Sequence, residues 1–432
     1  MTPGDRFGNG RFDRRTVAVV GSGVAGLTAA YLLQRRYDVS LFEADDRIGG
    51  HAHTHDLPTS DGRIAQVDSG FIVHNERTYP NLLRLFGELG VATRESEMSM
   101  SIRCDGCGLE YAGARGLKGL FAQPSSLGSP RFLRMLSEVK RFHRHARRVL
   151  RDDPGEITLR GFVVVGGYSR YFVEHFLIPV VSAVWSSGAE SSMRYPARYL
   201  FEFLHHHGML AVTGSPQWKT VVGGSRSYVE RAAKGLSAVQ VSTPVRALIR
   251  HGDHVAIHDD ADEVYRFDRV VVATHPDQAL RLLADPTDAE RAVLGAFRYS
   301  RNETLLHTDT SILPRAENAR ASWNYLKPAC SSTDGPVRVS YDMNRLMGLA
   351  EPADYLVTLN AEDLVAPNDV LRRMTYEHPV YTPESVAAQQ RLPELNDGTV
   401  AYAGAYHGWG FHEDGCAAGV RAAQSFGAGW TT

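Results

Sequence analysis

Apolar and polar residues recur with different periods along the chain, and these periods predict its elements. TVAVV (16–20) and DRVVVAT (268–274) are short β-branched runs of the kind found in buried parallel strands. VAGLTAAYLLQ (24–34) predicts a helix, and DVSLF (38–42) predicts a returning strand. The 432 residues therefore contain a strand–helix–strand unit and suffice for two or three domain-sized cores.

Later segments predict a second, different architecture. Pro80 opens a helix that Gly90 closes, and MSMSIRCDGCGLEYAG (98–113) alternates around a turn dipeptide, as a β-hairpin does. Residues 114–210 have a helical pattern rich in aromatic side chains. Four runs between residues 295 and 395 predict strands of a mixed sheet: RNETLLHTD, SWNYL, VRVSYDMNRLM and YLVTLN.

Three glycines follow the first strand with the spacing of a nucleotide-binding turn. Gly21 allows the tight turn, Gly23 lets a pyrophosphate approach the backbone, and Gly26 lets the helix pack closely on the strand. Glu43 ends the returning strand, where its carboxylate can accept hydrogen bonds from both ribose hydroxyls. Because an acid there disfavours a 2′-phosphate, the pattern predicts a dinucleotide-binding unit that does not take NADP.

Charge and hydropathy exclude several classes of partner and location. The net charge of −2 argues against nucleic-acid binding. The basic run RFHRHARR (141–148) is interpreted as a solvated helix face, and the alternative is a site for an anionic headgroup. The most apolar segment, YFVEHFLIPVVSAVW (171–185), is too short to span a bilayer. We expect it to be a buried helix, with peripheral membrane contact as the alternative. Residues 1–15 are predicted to be disordered.

Cysteine and histidine residues are the candidate metal ligands of this sequence. Four cysteines in so long a chain indicate a reducing, cytoplasmic compartment. Cys104 and Cys107 form a CxxC at the predicted hairpin tip, but no second pair completes a zinc site. Two histidine clusters, at 51–55 and 205–207, also lack completing carboxylate or cysteine ligands, so no metal is predicted.

The residues after the second strand carry a family resemblance. Arg47-Ile48-Gly49-Gly50, followed by Thr54, resembles the RxGG extension of FAD enzymes of the flavin amine oxidase, phytoene desaturase and protoporphyrinogen oxidase superfamily. The resemblance implies FAD as cofactor. By the same resemblance, the following residues are expected to contact the cofactor: Gly21, Gly23, Gly26, Glu43, Arg47, Gly49, Gly50, Thr54, Gly70, Phe71, Val245, Gly404, Asp414 and Gly415.

The resemblance also implies the fold and its division. The fold class is α/β, or α+β overall, with a Rossmann-like FAD-binding domain and an inserted substrate domain of mixed sheet plus helices. The FAD domain is expected at 16–75, 215–290 and 396–432, and the substrate domain at 76–214 and 291–395. Asp414 and Gly415 occupy the turn before the last helix, whose dipole would stabilise negative charge on the reduced flavin.

A narrower resemblance concerns the substrate. RIGGHAHT, VDSGFIVHNERTYPNL, WKTVVGGSRSYV, ATHPDQAL and AYHGWGFHEDG together resemble a bacterial family of predicted FAD-binding proteins. Its members accompany cyclopropane-fatty-acid-synthase-like methyltransferases, which implies an apolar or amphipathic acyl substrate. A methyltransferase of the same pathway is the expected partner.

Candidate catalytic residues follow from the amine oxidase resemblance. The loop before the last helix supplies one of two aromatic substrate walls in those enzymes, with packing at the domain interface as the alternative role. His407 and His412 in this loop are predicted acid–base residues because histidine titrates near working pH. The aromatic candidates are Trp409, Tyr406 and Phe411 in the loop, and Tyr341 and Trp323 opposite it.

The predicted reaction is dehydrogenation of an unsaturated or methyl-branched fatty-acyl chain, with hydride passing to flavin N5. Amine oxidation, redox-neutral double-bond isomerisation and a non-enzymatic role as flavin-binding partner of the methyltransferase are the alternatives. Amine oxidases commonly carry a lysine that holds a water near the flavin. Lys219 and Lys327 lie in suitable regions, but neither sits in a copy of that motif.

Overall fold

The computed structural model describes residues 14–152, 155, 157–211, 214–331 and 335–430. Most of the N-terminal segment predicted to be disordered, residues 1–13, lies outside this range. Arg14 is described, and its guanidinium donates to the carbonyl oxygens of Gln34 and Arg35.

The strands, in chain order, are β1 (Thr16–Val20), β2 (Asp38–Phe42), β3 (Thr54–Pro58), β4 (Ile64–Asp68), β5 (Val73–Asn75), β6 (Thr93–Ser96), β7 (Met100–Cys104), β8 (Leu109–Gly113), β9 (Trp218–Val221), β10 (Ala238–Gln240), β11 (Val245–Arg250), β12 (Val255–Asp259), β13 (Val264–Phe267), β14 (Arg269–Val272), β15 (Arg298–His307), β16 (Trp323–Lys327), β17 (Arg338–Asp342), β18 (Leu356–Leu359), β19 (Val370–Val380) and β20 (Val400–Tyr402). The α-helices are α1 (Val24–Leu33), α2 (Pro80–Leu89), α3 (Gly116–Leu120), α4 (Pro130–Asp152), α5 (Leu159–Val165), α6 (Arg170–Phe172), α7 (Ile178–Trp185), α8 (Ala189–Arg194), α9 (Ala197–His206), α10 (Arg226–Ala233), α11 (Pro276–Leu282), α12 (Asp288–Leu294), α13 (Met343–Met347), α14 (Pro383–Gln389) and α15 (His412–Ser425). A π-helical turn, Val173–Leu177, connects α6 to α7.

The nucleotide-binding unit is a five-stranded parallel sheet in the order β10-β2-β1-β14-β20. Four of the five residues of β1 are buried, as expected for a central parallel strand covered on both faces. The strands come from three distant parts of the chain, and all of them fall inside the segments predicted for the FAD domain. The predicted α/β fold class is thus confirmed, while the domain boundaries themselves stay a prediction.

The last helix packs against the first through glycines. A Cβ at Gly419 would lie 2.3 Å from the carbonyl oxygen of Ala25, and one at Gly415 would lie 2.7 Å from a methyl carbon of Val24. Only residues without a side chain allow α15 to approach α1 this closely. This packing sets the starts of both helices, α1 at Val24 and α15 at His412, beside the same cavity.

The second unit is a seven-stranded mixed sheet in the order β19-β15-β18-β17-β16-β7-β8. Its β7–β8 hairpin confirms the pairing predicted around residues 98–113. The edge strand β19 was not predicted, because its half-exposed residues, VLRRMTYEHPV, show no apolar period. Helices α4 to α9 bury a shared apolar core against this sheet.

Within the described ranges, no helix combines the length and the apolar character needed to cross a bilayer. The segment predicted as a buried helix, 171–185, is the end of α6, the π-helical turn and α7. His175 and Trp185 in this segment are buried.

Candidate functional site

A cavity of about 2110 Å³ connects the two units. This exceeds about 1,000 Å³, the upper end of the usual range for ligand pockets, so it can hold a large ligand together with a second molecule. Its walls include the turn after β1, the end of β2, the loop before α15, and apolar side chains of α4 and α7.

The turn after β1 is built around Glu43. Its carboxylate accepts hydrogen bonds from the Ser22 N–H at 2.9 Å, from the Ser22 hydroxyl, and from the Asp45 N–H at 3.0 Å. Gly21, Gly23 and Glu43 all line the cavity. Gly26 lies behind the wall, where a Cβ would meet the Gly21 carbonyl oxygen at 1.9 Å. Gly26 therefore packs the helix on the turn.

The start of α1 is suited to an anionic group. Gly23 caps the helix without a side chain, and no acidic residue lies in the first turn. Val24 and Ala25 line the cavity, so the unpaired N–H groups of the first turn face it. A Cβ at Gly23 would have no neighbour within 4 Å. The open space and the partial positive charge fit a pyrophosphate.

The second glycine pair supports this cradle. Arg47 donates to the Gly50 carbonyl oxygen at 2.8 Å, and both residues line the cavity. A Cβ at Gly50 would lie 3.1 Å from the Cα of Gly23, so the two loops are in direct contact. Gly49 does not line the cavity; its N–H donates to the Ser22 hydroxyl at 3.0 Å and holds the two loops together.

Thr54 also lies behind the cavity wall. Its hydroxyl donates to Asp68 at 2.6 Å and accepts from the Arg226 N–H, and Asp68 in turn binds Ser225. This buried network fastens β3 and β4 to the start of α10. Thr54 therefore has a scaffolding position, in contrast to the predicted direct contact with the cofactor.

Three further predicted cofactor residues do face the cavity: Gly70, Phe71 and Val245. The backbone at Gly70 passes over His51, whose carbonyl oxygen would lie 2.0 Å from a Cβ at residue 70. Phe71 stacks on the imidazole of His412, with ring centroids 3.7 Å apart and an interplanar angle of 10°.

The loop before α15 presents Gly404 and Phe411 to the cavity, and His412, the first residue of α15, lines it as well. Asp414 lies behind them and accepts a hydrogen bond from the Phe411 N–H at 2.9 Å, so it caps the helix. Gly415 packs on α1, as described above. Asp414 and Gly415 thus shape the helix start, in contrast to the predicted cofactor contact.

His412 is held in one orientation. Its Nε2 lies 3.0 Å from the Tyr228 hydroxyl, whose pKa is raised well above its usual value by burial. With that hydroxyl as donor, the ring carries its proton on Nδ1. Burial, and then the neighbouring His74, lower the pKa of His412 to about 3, so the ring is neutral at physiological pH.

His407 and Trp409 are packed away from the cavity. Burial, then Arg421, lower the pKa of His407 to about 3, and its Nε2 has no partner among the described residues. The Trp409 carbonyl accepts from the Trp185 indole at 2.9 Å, and its ring packs beside Phe203. The structure therefore gives both residues interior packing positions, in contrast to their predicted catalytic roles.

Tyr341 and Trp323, the candidates for the opposite aromatic wall, line the cavity from the neighbouring strands β17 and β16. Their rings are perpendicular, with centroids 5.2 Å apart. The Trp323 Nε1 has no hydrogen-bond partner within the described part of the chain. Tyr406 also lines the cavity, but it is buried against Phe297.

A polar cluster that was not predicted completes the wall. His51 lies near Tyr376 and His378, with ring centroids 4.9 and 5.7 Å away, and His275 Nδ1 lies 3.2 Å from Glu377. Burial lowers the pKa of His378 to about 4, so this ring is neutral at physiological pH. Three of these residues lie on β19, the strand that the pattern missed. In the sequence, only the family-like motif ATHPDQAL indicates that His275 lies near the site.

Removal of the Asp414 charge is expected to change how stability depends on pH. Burial raises the pKa of Asp414 from its usual value to about 7. Because this pKa is higher in the folded protein than in the unfolded chain, the neutral carboxyl group does not oppose folding below about pH 4. As the pH rises towards 7, the unfolded chain loses its proton first and stability falls. The free energy of unfolding of the parent should therefore fall on the order of 4 kcal/mol more than that of Asp414→Asn between pH 4 and pH 8. Denaturant unfolding at both pH values measures this, and an identical pH dependence in the two proteins would contradict it.

Comparison with known proteins identifies the family. The chain matches the model of the flavin containing amine oxidoreductase family over residues 24–316, which is more than half of its length. The protein belongs to this family. Its cofactor is FAD, in keeping with relatives that are named as flavin-containing.

Individual relatives are distant. The chain is 26% identical over 296 residues to a probable flavin-containing monoamine oxidase A of Dictyostelium discoideum. That match covers 63% of this chain and 59% of the relative, and the chain spans less than two thirds of each curated relative it matches. The fold resembles that of cyclohexylamine oxidase from Brevibacterium oxydans, with a TM-score of 0.66, 17% identity, and coverage of 96% and 99% of the two chains. It also resembles a CLA-producing fatty acid isomerase from P. acnes, with a TM-score of 0.65, 14% identity, and coverage of 95% and 98%.

The cavity fits FAD by its own chemistry. Glu43 would accept from the adenosine ribose, and the N–H groups at the start of α1 would bind the pyrophosphate. The starts of α1 and α15 both lie beside the cavity, and the open space in front of Gly23 leaves room for the rest of the cofactor. Aromatic and apolar side chains line the remaining volume.

Proposed function

We propose that this flavin amine oxidoreductase dehydrogenates a long apolar substrate of the fatty-acyl class. The single observation that carries the proposal is the apolar lining of the cavity beyond the nucleotide end. The side chains of this region, the acyl chamber, include Met100, Leu120, Met135, Leu136, Val139, Phe142, Phe176, Leu177, Val180, Val184 and Leu204. An alkyl chain buried there would gain about 0.8 kcal/mol per methylene.

The mouth of the acyl chamber supports an amphipathic substrate. Leu117 lines the cavity yet is 74% exposed, and the exposed Lys140 also lines it. An exposed apolar side chain and an ammonium group on the same cavity suit a substrate with an alkyl chain and a carboxylate. Peripheral contact of this mouth with a lipid surface would let such a substrate enter without crossing water.

The residues of the site would hold the substrate and stabilise the charge that develops on it during the reaction. Bound FAD would accept a hydride from one carbon while the neighbouring carbon loses a proton to solvent, so that a carbon–carbon double bond forms. His412, neutral and fixed by Tyr228, can donate from Nδ1 to an acceptor in the cavity. The first turn of α15 lies at the same place but carries Glu413 and Asp414, so the His412 N–H is the group that would stabilise negative charge developing there.

Acyl chemistry is compatible with this fold, since one solved structure of the same fold is a CLA-producing fatty acid isomerase. Isomerisation is accordingly the second candidate reaction for the acyl chamber. It differs from dehydrogenation in that no electrons leave the substrate overall.

Amine oxidation is the third candidate, and the perpendicular pair of Trp323 and Tyr341 favours it as an aromatic wall. The lysines argue against it. Lys219 forms an ion pair with Glu76, and Lys327 forms one with Glu174 at 2.8 Å. Neither of these two lysines lines the cavity.

Anaerobic mixing of the flavin-loaded protein with each substrate class separates the three reactions. Bleaching of the flavin by an unsaturated or methyl-branched fatty acid, and not by cyclohexylamine, is the expected result. Bleaching by the amine alone would replace the proposal with amine oxidation. A shifted double bond, detected by mass spectrometry only after the flavin has been reduced beforehand, would replace it with isomerisation.

The two loop histidines should behave differently in this assay. His412→Ala removes a donor from the cavity wall and should slow substrate-driven flavin reduction at least about tenfold. His407→Ala changes a histidine of the same loop that does not line the cavity, so the reduction rate per bound flavin should stay near that of the parent. Stopped-flow absorbance, normalised to flavin content, measures both rates. Equal rates for the two variants would remove His412 from the proposed machinery.

A further inference from the structure

Four side chains with metal-binding atoms meet at a point outside the cavity. They come from three separate parts of the chain: Cys104, Cys107, His175 and Cys330. Each offers one sulfur or nitrogen atom, and all four atoms lie within 4.8 Å of one another. The CxxC at the hairpin tip therefore has two partners that lie far away in sequence.

The fold explains the meeting of the three cysteines. Cys104 ends β7, and Cys107 follows in the turn that the Gly108 N–H closes by donating to the Cys104 carbonyl at 2.8 Å. β16 pairs with β7 in parallel and places Lys327 opposite Cys104, so the loop carrying Cys330 leaves the sheet at the same end. A Cβ at Gly106 would lie 2.7 Å from the Cys330 nitrogen, so only glycine lets this loop rest on the turn.

His175 is oriented as a ligand would be. It lies in the π-helical turn, a local distortion that is frequent at functional sites. Its Nδ1 lies 3.2 Å from the Tyr171 carbonyl oxygen, which accepts the ring proton and leaves the Nε2 lone pair free. Nε2 faces the Cys107 sulfur at 3.5 Å. The Tyr171 ring stacks on the imidazole at 4.2 Å and fixes its plane.

Two of the separations between these atoms match those of a tetrahedral ion site, and all of them are within 4.8 Å. Zinc–sulfur and zinc–nitrogen bonds of about 2.3 and 2.05 Å place tetrahedral ligands about 3.8 Å apart for two sulfurs and about 3.5 Å apart for sulfur and nitrogen. The Cys104 and Cys330 sulfurs are 3.9 Å apart, and the Cys107 sulfur and His175 nitrogen are 3.5 Å apart. We propose that Cys104, Cys107, Cys330 and His175 bind one structural zinc ion.

Zinc explains the cluster better than a disulfide does. A sulfur–sulfur bond is about 2.05 Å long, far shorter than the 3.9 Å between Cys104 and Cys330. A disulfide would also leave the aimed nitrogen of His175 without a role. Three thiolates and one imidazole form a closed set of four ligands, which is typical of structural rather than catalytic zinc.

The ion would stabilise one wall of the acyl chamber. Phe176 and Leu177 directly follow His175 and line the cavity, and Tyr111 on β8 both lines it and donates to the His175 carbonyl at 2.7 Å. Zinc would join this turn to the hairpin and to the loop after β16. Metal removal is therefore expected to loosen the chamber while leaving the FAD end unchanged.

Zinc content of the untagged, flavin-loaded protein tests the proposal, with elemental mass spectrometry after dialysis against metal-free buffer. We expect one zinc per chain in the parent, and loss of most of it in Cys107→Ser and in Cys330→Ser. Both residues are exposed, so both variants should fold. Cys416→Ser is the matched control, because Cys416 lies elsewhere, against Thr28, and zinc should be retained in full.

Two further readings of the same samples complete the test. A chelator should lower the melting temperature of the parent and of Cys416→Ser but not that of Cys330→Ser, and the flavin absorbance of all variants should persist. Zinc absent from the parent, and not taken up by the reduced protein, would overturn the proposal. Full zinc in Cys107→Ser and Cys330→Ser would overturn it as well, as would a disulfide among the three cysteines found by alkylation of the non-reduced protein.

Discussion

Gly23→Val is expected to yield a folded protein without flavin. Gly23 has an ordinary backbone conformation, with φ −62° and ψ 176°, and a side chain there would meet no protein atom within 4 Å of its Cβ. The added methyl groups would instead occupy the space in front of the first turn of α1, where the pyrophosphate binds. An overlap of this kind costs about 2–3 kcal/mol or more, which weakens FAD binding at least roughly 30- to 100-fold.

Absorbance of the purified protein and its circular dichroism measure the two effects separately. Gly252→Val is the matched control, since a Cβ at Gly252 is equally free of contacts and that glycine does not line the cavity. A yellow Gly23→Val protein with normal FAD content would show that the cofactor lies elsewhere. Loss of secondary structure in Gly23→Val but not in the control would show that the turn tolerates no side chain.

Val180→Trp should shorten the acyl chain that the enzyme accepts. Val180 lies on α7 and lines the acyl chamber, so an indole there would occupy the space of about three methylenes. At about 0.8 kcal/mol per methylene, a long substrate would lose about 2 kcal/mol of binding. Its kcat/KM should then fall roughly 30-fold, while that of a substrate several carbons shorter should change little.

Val164→Trp provides the comparison, because Val164 is 73% exposed on α5 and does not line the cavity. Kinetics over a series of chain lengths measure the shift in preference. An equal fall for short and long chains would indicate a general distortion. An unchanged profile would show that the chain lies along another wall, and would count against the acyl chamber as the substrate site.

Local segments of the fold could be predicted from the sequence with accuracy. The strand, glycine turn, helix and acid of residues 16–43 lie where the pattern placed them, because each part depends on near neighbours in sequence. The hairpin of β7 and β8 followed equally from alternation and a turn dipeptide. By contrast, β19 was missed, since an edge strand needs no apolar period when it pairs along its length with β15.

Assignments within the functional loop could not be predicted in the same way. His407, Trp409 and His412 are equally plausible by residue type, yet only His412 of the three lines the cavity. The difference lies in how the loop before α15 packs on Trp185 and Tyr228, two residues far away in the chain. Asp414 shows the same limit, because a carboxylate beside a cofactor and one that caps a helix have the same sequence context.

Sequence alone determined the nucleotide-binding unit, and the family resemblance of the motifs after it implied FAD. These features are encoded within short stretches, where the steric needs of a turn or a helix start select particular residues. Tertiary structure alone decided which aromatic and histidine side chains reach the cavity, and it brought Cys330 and His175 to the CxxC turn. Such contacts depend on strand order and helix packing between segments that are 68 or more residues apart, so no single segment of the sequence indicates them.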